Sequence, residues 1–377
     1  MKEKKELGEI GRREERREGR EKRRIIKGIV MVVVMMVMGC NSGGVSEGKI
    51  NLEAKNSFLE SLVKIGEGFQ EIFSDFGSAI GDVLGFSVVK SGDKRSKIGE
   101  HFKKIGDELT TTKNKLNELS SKISGAKNAD RSAIEAVKGA VQGANDVFEQ
   151  LIGAVIKLSG VTNANVDIGD ANSAGGAVGA NRDSVNTVIE GVKAIIGVAE
   201  KLDIKIEKGT SGGEVANANG LKLLAHNAQA DQGAAPKLAE EVSKADAWAV
   251  IDKIKNATTV GTATIANAEA GALALGGNTQ NDNGTAKTNA DLAAAVALKA
   301  MTKDGKFTQP QANEVGAVKA AAVSAVNKVL EILDVIIKKT VSSNLDKVKE
   351  AVKGIKYSES SVIEASQSDT SQTTNKQ

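Results

Sequence analysis

Residues 131–160 read RSAIEAVKGAVQGANDVFEQLIGAVIKLSG, and the spacing of their apolar positions decides the fold. Ile134, Val137, Val141, Ala144, Phe148, Leu151, Val155 and Leu158 follow one another in steps of three and four. That period puts all of them on one face of an α-helix. The pattern is nearly a heptad, which suits helices packed side by side at shallow angles. Working outward, the rhythm recurs at Ile98, Phe102, Ile105, Leu109, Leu116, Leu119 and Ile123, with Thr112 in the remaining slot. It occurs earlier at Phe58, Leu62, Ile65, Phe69, Ile72, Phe76, Ile80 and Val83. Turns are predicted at Ser91-Gly92-Asp93 and at Gly125–Asp130, with Asp130 placed to cap the helix that follows. Three such stripes in succession predict a helical hairpin or bundle.

Beyond Val161 the texture changes. Thr162–Asn181 is rich in Gly, Ala, Asn and Ser and reads as a loop, free enough that exchanging it should leave stability nearly unchanged. A helix follows over about 183–202, with Val185, Val188, Val192, Ile195, Ala199 and Leu202 on one face. Short Ala-rich helices are predicted around 221–230, 236–256 and 289–301, separated by small-residue loops at 209–220, 258–268 and 276–288. Pro236 suits a first helical turn. Gln311 to about Tyr357 repeats the helical pattern and would span roughly 70 Å if unbroken. The expected fold class is therefore all-α: an elongated helical bundle, its long N- and C-terminal helices packed together, with short helices and Gly/Ala-rich loops at the far end.

Hydrophobic residues make up 40% of the 377, enough for a real core, but aromatics are only 3%, so Ala, Val, Ile and Leu must fill it. The net charge of +3 belongs to the leader. Residues 1–39 hold 12 Lys and Arg against 7 Asp and Glu, leaving 39 against 41 in the remainder, a balance that gives no reason to bind nucleic acid. Lys22, Arg23, Arg24 and Lys27 precede the apolar run Ile29–Met38, which ends at Gly39-Cys40. Basic stretch, short apolar core and small residue describe a secretory signal peptide, with cleavage between Gly39 and Cys40. The run is far shorter than the ~20 residues of a membrane-spanning helix. Cys40 is the only cysteine, so no disulfide forms within the chain. Val37-Met38-Gly39-Cys40 resembles the lipobox of bacterial lipoproteins, which implies lipidation of Cys40 and attachment to a membrane through its acyl chains. The expected organisation is a signal peptide over 1–39, a flexible tether over 40–57, one helical domain over 58–357 with 161–290 its loop-rich variable part, and a disordered Ser/Thr/Gln-rich tail over 358–377.

Nothing in the sequence assembles a catalytic centre. The two histidines, His101 and His226, lack a partner at i+4 for a helical zinc site, and His101 reads as a solvated residue on a charged helix side. Gly176-Ala177-Val178-Gly179 lacks the Lys-Ser/Thr of a phosphate loop and reads as a flexible loop. Glu331, Asp334 and Lys338 read as a solvated, ion-paired face. No enzyme activity, metal or cofactor is expected.

Several longer stretches resemble the variable large proteins of relapsing-fever spirochaetes, the family related to the VlsE surface antigen. These are the block from Phe58 to Phe86, the run DLAAAVALKAMTKDGKF over 291–307 with its Lys303-Asp304-Gly305-Lys306-Phe307 ending, and Val315–Tyr357. The resemblance implies a helical lipoprotein of the cell outer membrane, surface-exposed, with terminal helices near the membrane and variable loops beyond. It further implies host antibodies as partners and evasion of them by switching among expressed variants. A surface adhesin binding a host ligand is the alternative, and a periplasmic scaffold lipoprotein stands third.

Overall fold

The computed structural model describes residues 48–83, 88–259, 267–277 and 284–358. The signal peptide, Gly39, Cys40 and all of the tail but Ser358 lie outside them. Contacts divide the chain into two compact units where one domain over 58–357 is expected. Among the described residues the smaller takes 48–68, 125–130 and 357–358, and the larger takes the rest.

Helix α1 runs Gly48–Val83, so the latter part of the expected tether is helical. Its sequence explains this: Phe58 already follows the helical stripe, and no Pro or turn signal interrupts 49–57. Within the smaller unit Phe58 meets Tyr357 edge-on at 5.6 Å, Lys55 Nζ lies 5.8 Å from the same ring, and Asn128 Nδ2 donates to Ala54 O at 3.3 Å. The side chains of Ile80 and Val83 lie outside the described set.

In the larger unit α2 (Ser96–Ser124) packs on α3 (Arg131–Thr162). The predicted stripes are the contact: Ile98, Phe102, Ile105, Leu109, Leu116, Leu119 and Ile123 are buried, as are Val137, Val141, Ala144, Phe148, Leu151, Val155 and Leu158. Ser159 Oγ donates to Gly99 O at 2.8 Å across this seam. Close approach has a cause in the sequence, because a Cβ on Gly99 would stand 3.0 Å from Ser159 O. Helix α4 (Arg182–Glu200) is capped by Asn181, whose Oδ1 accepts from Ser184 N at 3.0 Å. It packs on α3, with Gly191 leaving room for Leu158.

Helices α5 (Ala234–Lys244) and α6 (Ala247–Asn256) divide the segment predicted as one helix. The break is Asp246, extended at φ −68° and ψ 128°, whose carboxylate accepts from Trp248 N at 2.8 Å and starts α6 afresh. The helix expected over 221–230 is only a 3-10 turn, Leu221–Leu223, because its backbone is bonded elsewhere. Leu223 O accepts from Thr308 N, His226 O from Ala177 N, and Ala230 N donates to Gln309 O. A short helix α7 (Ala270–Leu275) precedes α8 (Asn289–Met301), which is buried on every side from Ala290 to Met301. An Ala-rich helix buried all round, with Asp291 and Lys299 its only charges, belongs at the centre of a bundle, and α5, α6, α7 and α9 surround it. Helix α9 spans Val315–Lys353, shorter than predicted because a 3-10 turn, Ala312–Glu314, precedes it and Gly354 closes it. Its face of Val318, Ala322, Val326, Val329, Leu333, Ile336, Leu345 and Val348 is buried, and it packs on α3, α4, α5, α6 and α8. Lys349 Nζ sits 5.6 Å from the Phe73 ring, joining first and last helices. The all-α class holds, with one addition: β1 (Val215–Ala216) pairs antiparallel with β2 (Thr285–Ala286).

Candidate functional site

The chemistry-bearing side chains gather around one turn, Thr302–Phe307, where the chain leaves the central helix α8. Asp304 adopts φ 65°, the left-handed conformation that reverses the chain. Gly305 must be glycine, since a Cβ there would lie 2.7 Å from Lys299 O. Two buried cations hold the turn. Arg95, just before α2, donates from Nη1 to Thr302 O and from Nη2 to Gly305 O at 2.6 Å. Lys299, fully buried in α8, donates from Nζ to Val178 O at 2.7 Å and Gly276 O at 2.8 Å. Burial, and then the charge of Arg95, push the Lys299 ammonium down to about 7. Burial also lowers Arg95, with Asp170 and Asp304 opposing it.

The loop after α3 closes over this turn. Val178 and Lys306 exchange both backbone hydrogen bonds at 3.0 Å, Asn181 N donates to Lys303 O at 2.9 Å, and Phe307 N donates to Asp170 O at 2.9 Å. Asp167 accepts from Lys94 at 2.5 Å and Lys319 at 2.7 Å, and these hydrogen bonds draw its carboxyl down to about 2. Ile168, Ala177 and Phe307 are buried. The segment 162–181 is thus a loop in conformation but not free: it is fastened at Asp167, Asp170, Val178 and Asn181. The expectation that it could be exchanged without cost is corrected. The flexible reading of Gly176–Gly179 is corrected with it, as a Cβ on Gly179 would come within 2.5 Å of Leu275 O.

His101 is not solvated. It is buried, and its Nε2 lies 3.0 Å from Asp334 Oδ1, which is buried too. Phe102 belongs to the predicted stripe, while His101 beside it is turned inward to meet Asp334 of α9. Burial raises the Asp334 carboxyl, opposed by its hydrogen bond to His101. Of the expected solvated face, Glu331 and Lys338 are exposed and Asp334 is not. His226 is buried beside the Ala228 backbone, its Nδ1 3.2 Å from Ala228 N. Two further buried carboxylates act on helix starts. Glu314 accepts from Gly233 N at 2.5 Å and Ala235 N at 3.3 Å at the head of α5, and Asp291 accepts from Ala270 N at 3.4 Å at the head of α7 while pairing with Lys253 at 3.0 Å.

Arg95, Lys299, Asp291 and Glu314 satisfy backbone carbonyls or amides that loops leave inside the core, where an unpaired polar group costs about 1–3 kcal/mol, while His101 and Asp334 satisfy one another. Among the described residues no three His, Cys, Asp or Glu side chains converge to hold a metal. No helix among them is long and apolar enough to cross a membrane. Sequence reading missed the pins. The available signal was a single Lys inside the otherwise apolar run from Leu292 to Met301, where a charge is either paired or misplaced.

Fold and pins together define an all-helical scaffold whose polar interior serves the backbone. The Borrelia lipoprotein family pattern matches residues 69–352. Variable large protein 14 of Borrelia hermsii is 58% identical over 359 residues, covering 93% of this chain and 99% of that one. Variable large protein 12 of the same organism is 57% identical, covering 92% and 97%. The crystal structure of the Lyme disease variable surface antigen VlsE of Borrelia burgdorferi superposes with a TM-score of 0.64 at 29% identity, covering 79% of this chain and 99% of that one. This chain belongs to the Borrelia lipoprotein family, among its variable large proteins.

Proposed function

We propose that this protein is a lipid-anchored antigen on the outer surface of the outer membrane, and that exchange of it for other variants evades host antibody. The reading is supported above all by Val37-Met38-Gly39-Cys40 standing directly before a chain so similar to variable large proteins. In this reading residues 1–39 direct export and are removed, and Cys40 becomes the acylated first residue. Each buried CH₂ contributes about 0.8 kcal/mol, so several chains on one residue hold where one would not. Residues 41–47 then link the lipid to α1. The protein catalyses nothing; its partners are the membrane through Cys40 and the antibodies its exposed loops meet.

Metabolic labelling with palmitate tests the anchor. Label is expected on the native chain and absent from Cys40→Ser, which should leave the membrane fraction. Protease added to intact cells should remove the protein, and serum raised against it should fail to bind cells expressing a relative near 30% identity. A chain that resists protease on intact cells, or serum that binds all variants equally, would overturn the reading.

A further inference from the structure

Between α4 and β1 the chain runs over the surface: Lys201–Asp203 close α4 as a turn, with Asp203 at φ 59°, and beyond it exposure alternates, Ile204 and Ile206 half-buried and Lys205 and Glu207 exposed. Period two is the mark of an extended backbone, although no strand partners it. Both ends are fastened. Ile204 N donates to Ala199 O at 3.1 Å, Thr210 N to an Asp246 carboxylate oxygen at 3.1 Å, and Ser211 O accepts from Ala290 N at 3.0 Å. Gly209, at φ 62°, is seated so closely that a Cβ would lie 2.5 Å from Ala249 N. Between those anchors the backbone N–H and C=O groups of Lys205, Ile206, Glu207 and Lys208 have no partner among the described residues. A held, extended, unpaired edge is a template for another strand.

We propose that Ile204–Lys208 is a self-association edge, and that its occupant is the same segment of a second copy, paired antiparallel about Ile206. Charge selects this arrangement. Antiparallel pairing centred on Ile206 sets Lys205 opposite Glu207 of the second copy and Glu207 opposite its Lys205, two favourable cross-strand pairs from one two-fold axis. Parallel pairing in register would instead oppose Lys205 to Lys205 and Glu207 to Glu207. Residues directly opposite in an antiparallel pair share a face, so both Ile206 side chains stay on the side of the protein bodies, and both exposed rows stay in water. The edge is short, so association is weak in solution and gains where copies are concentrated on one surface. The proposal does not depend on Cys40.

Sedimentation equilibrium of the full chain carrying Cys40→Ser tests it, from low to high micromolar concentration. A monomer–dimer equilibrium is expected. Ile206→Pro removes the central N–H and should raise the dissociation constant tenfold or more, with helical circular dichroism unchanged. Lys205→Glu alone and Glu207→Lys alone should each weaken the dimer, and an equimolar mixture of those two variants should restore it, because the mixed pair again opposes unlike charges. A monomer at every concentration, a dimer indifferent to Ile206→Pro, or a mixture no tighter than its components would overturn the proposal. Protection of the Lys205–Lys208 amides only on adding a foreign extended peptide would also overturn it, assigning the edge to another partner.

Discussion

Lys299→Met isolates the cost of the fully buried ammonium. Its folded value of about 7 lies below the ordinary 10.5. Between those two values the unfolded chain binds the extra proton and the folded chain does not. Stability must therefore rise with pH across that window, by about 1.4 kcal/mol per unit, and be most penalised below it. The full penalty below pH 7 is on the order of 5 kcal/mol by the same conversion. Methionine has similar length and no charge, so the variant loses this slope. It also leaves the Gly276 carbonyl without a donor, at about 1–3 kcal/mol, whereas Val178 O keeps its hydrogen bond from Lys306 N. The two effects oppose one another near neutrality and separate as pH rises, when the neutral amine of the parent still donates both hydrogen bonds. Urea unfolding at several pH values from about 7.5 to 9.5, followed by far-ultraviolet circular dichroism, should show the parent gaining about 2–3 kcal/mol over the variant. Every other titrating group cancels in the difference. Parallel curves would refute the claim that this lysine is buried as an ion near its own midpoint.

The other pins give companion tests. Arg95→Met strands Thr302 O and Gly305 O and should cost about 2–4 kcal/mol, read as a lowered thermal midpoint. Asp334→Ala leaves His101 buried without its partner, at about 3 kcal/mol, whereas joint replacement of His101 and Asp334 by Leu should recover most of that loss in the same melt. Asp167 titrates below the ordinary carboxyl range, so its contribution is complete above about pH 4 and is lost as pH falls towards 2; Asp167→Asn should flatten that part of an acid-unfolding profile. Replacing Lys205–Lys208 with Gly and Ser, in dilute monomer, should change stability by no more than about 0.5 kcal/mol. The same replacement over Asp170–Gly179 should cost several times more, because it removes the Asp170–Lys306 ion pair, the Asn172 hydrogen bond to Gly176 O and the buried Ala177 side chain.

Periodicity carried the long helices because their partners lie along one face: the stripes of α2, α3, α4 and α9 are nearly the buried sets. It failed where long-range bonding overrode local preference. Residues 221–230 are composed like a helix, yet their carbonyls and amides are used by Ala177, Thr308 and Gln309, all distant in sequence. His101 illustrates the same limit. Its neighbours Glu100 and Lys103 are exposed, so the local charge pattern pointed outward, while a helix more than 200 residues later supplies Asp334 and turns that side into core. Asp334 was misread for the converse reason, lying among charges that are themselves solvated.

These misreadings share a physical root. With few aromatics, the core between helices is largely Ala, Val, Ile and Leu, and such surfaces repack with little preference for one register. A buried charge discriminates more sharply, because a slip of one turn would leave it uncompensated at several kcal/mol. Arg95, Lys299, Asp291, Glu314 and the His101–Asp334 pair each tie a segment to one distant in sequence, and all six residues lie in the chain's final third or before α3. The stretch from Lys201 to Glu214 is held by backbone ends and Asp246 instead, so its side chains are left out of the register-setting work. A fold specified this way tolerates substitution along that surface while penalising it at the turn of Thr302–Phe307, and the contrast follows from where the charges are buried rather than from how flexible either segment is.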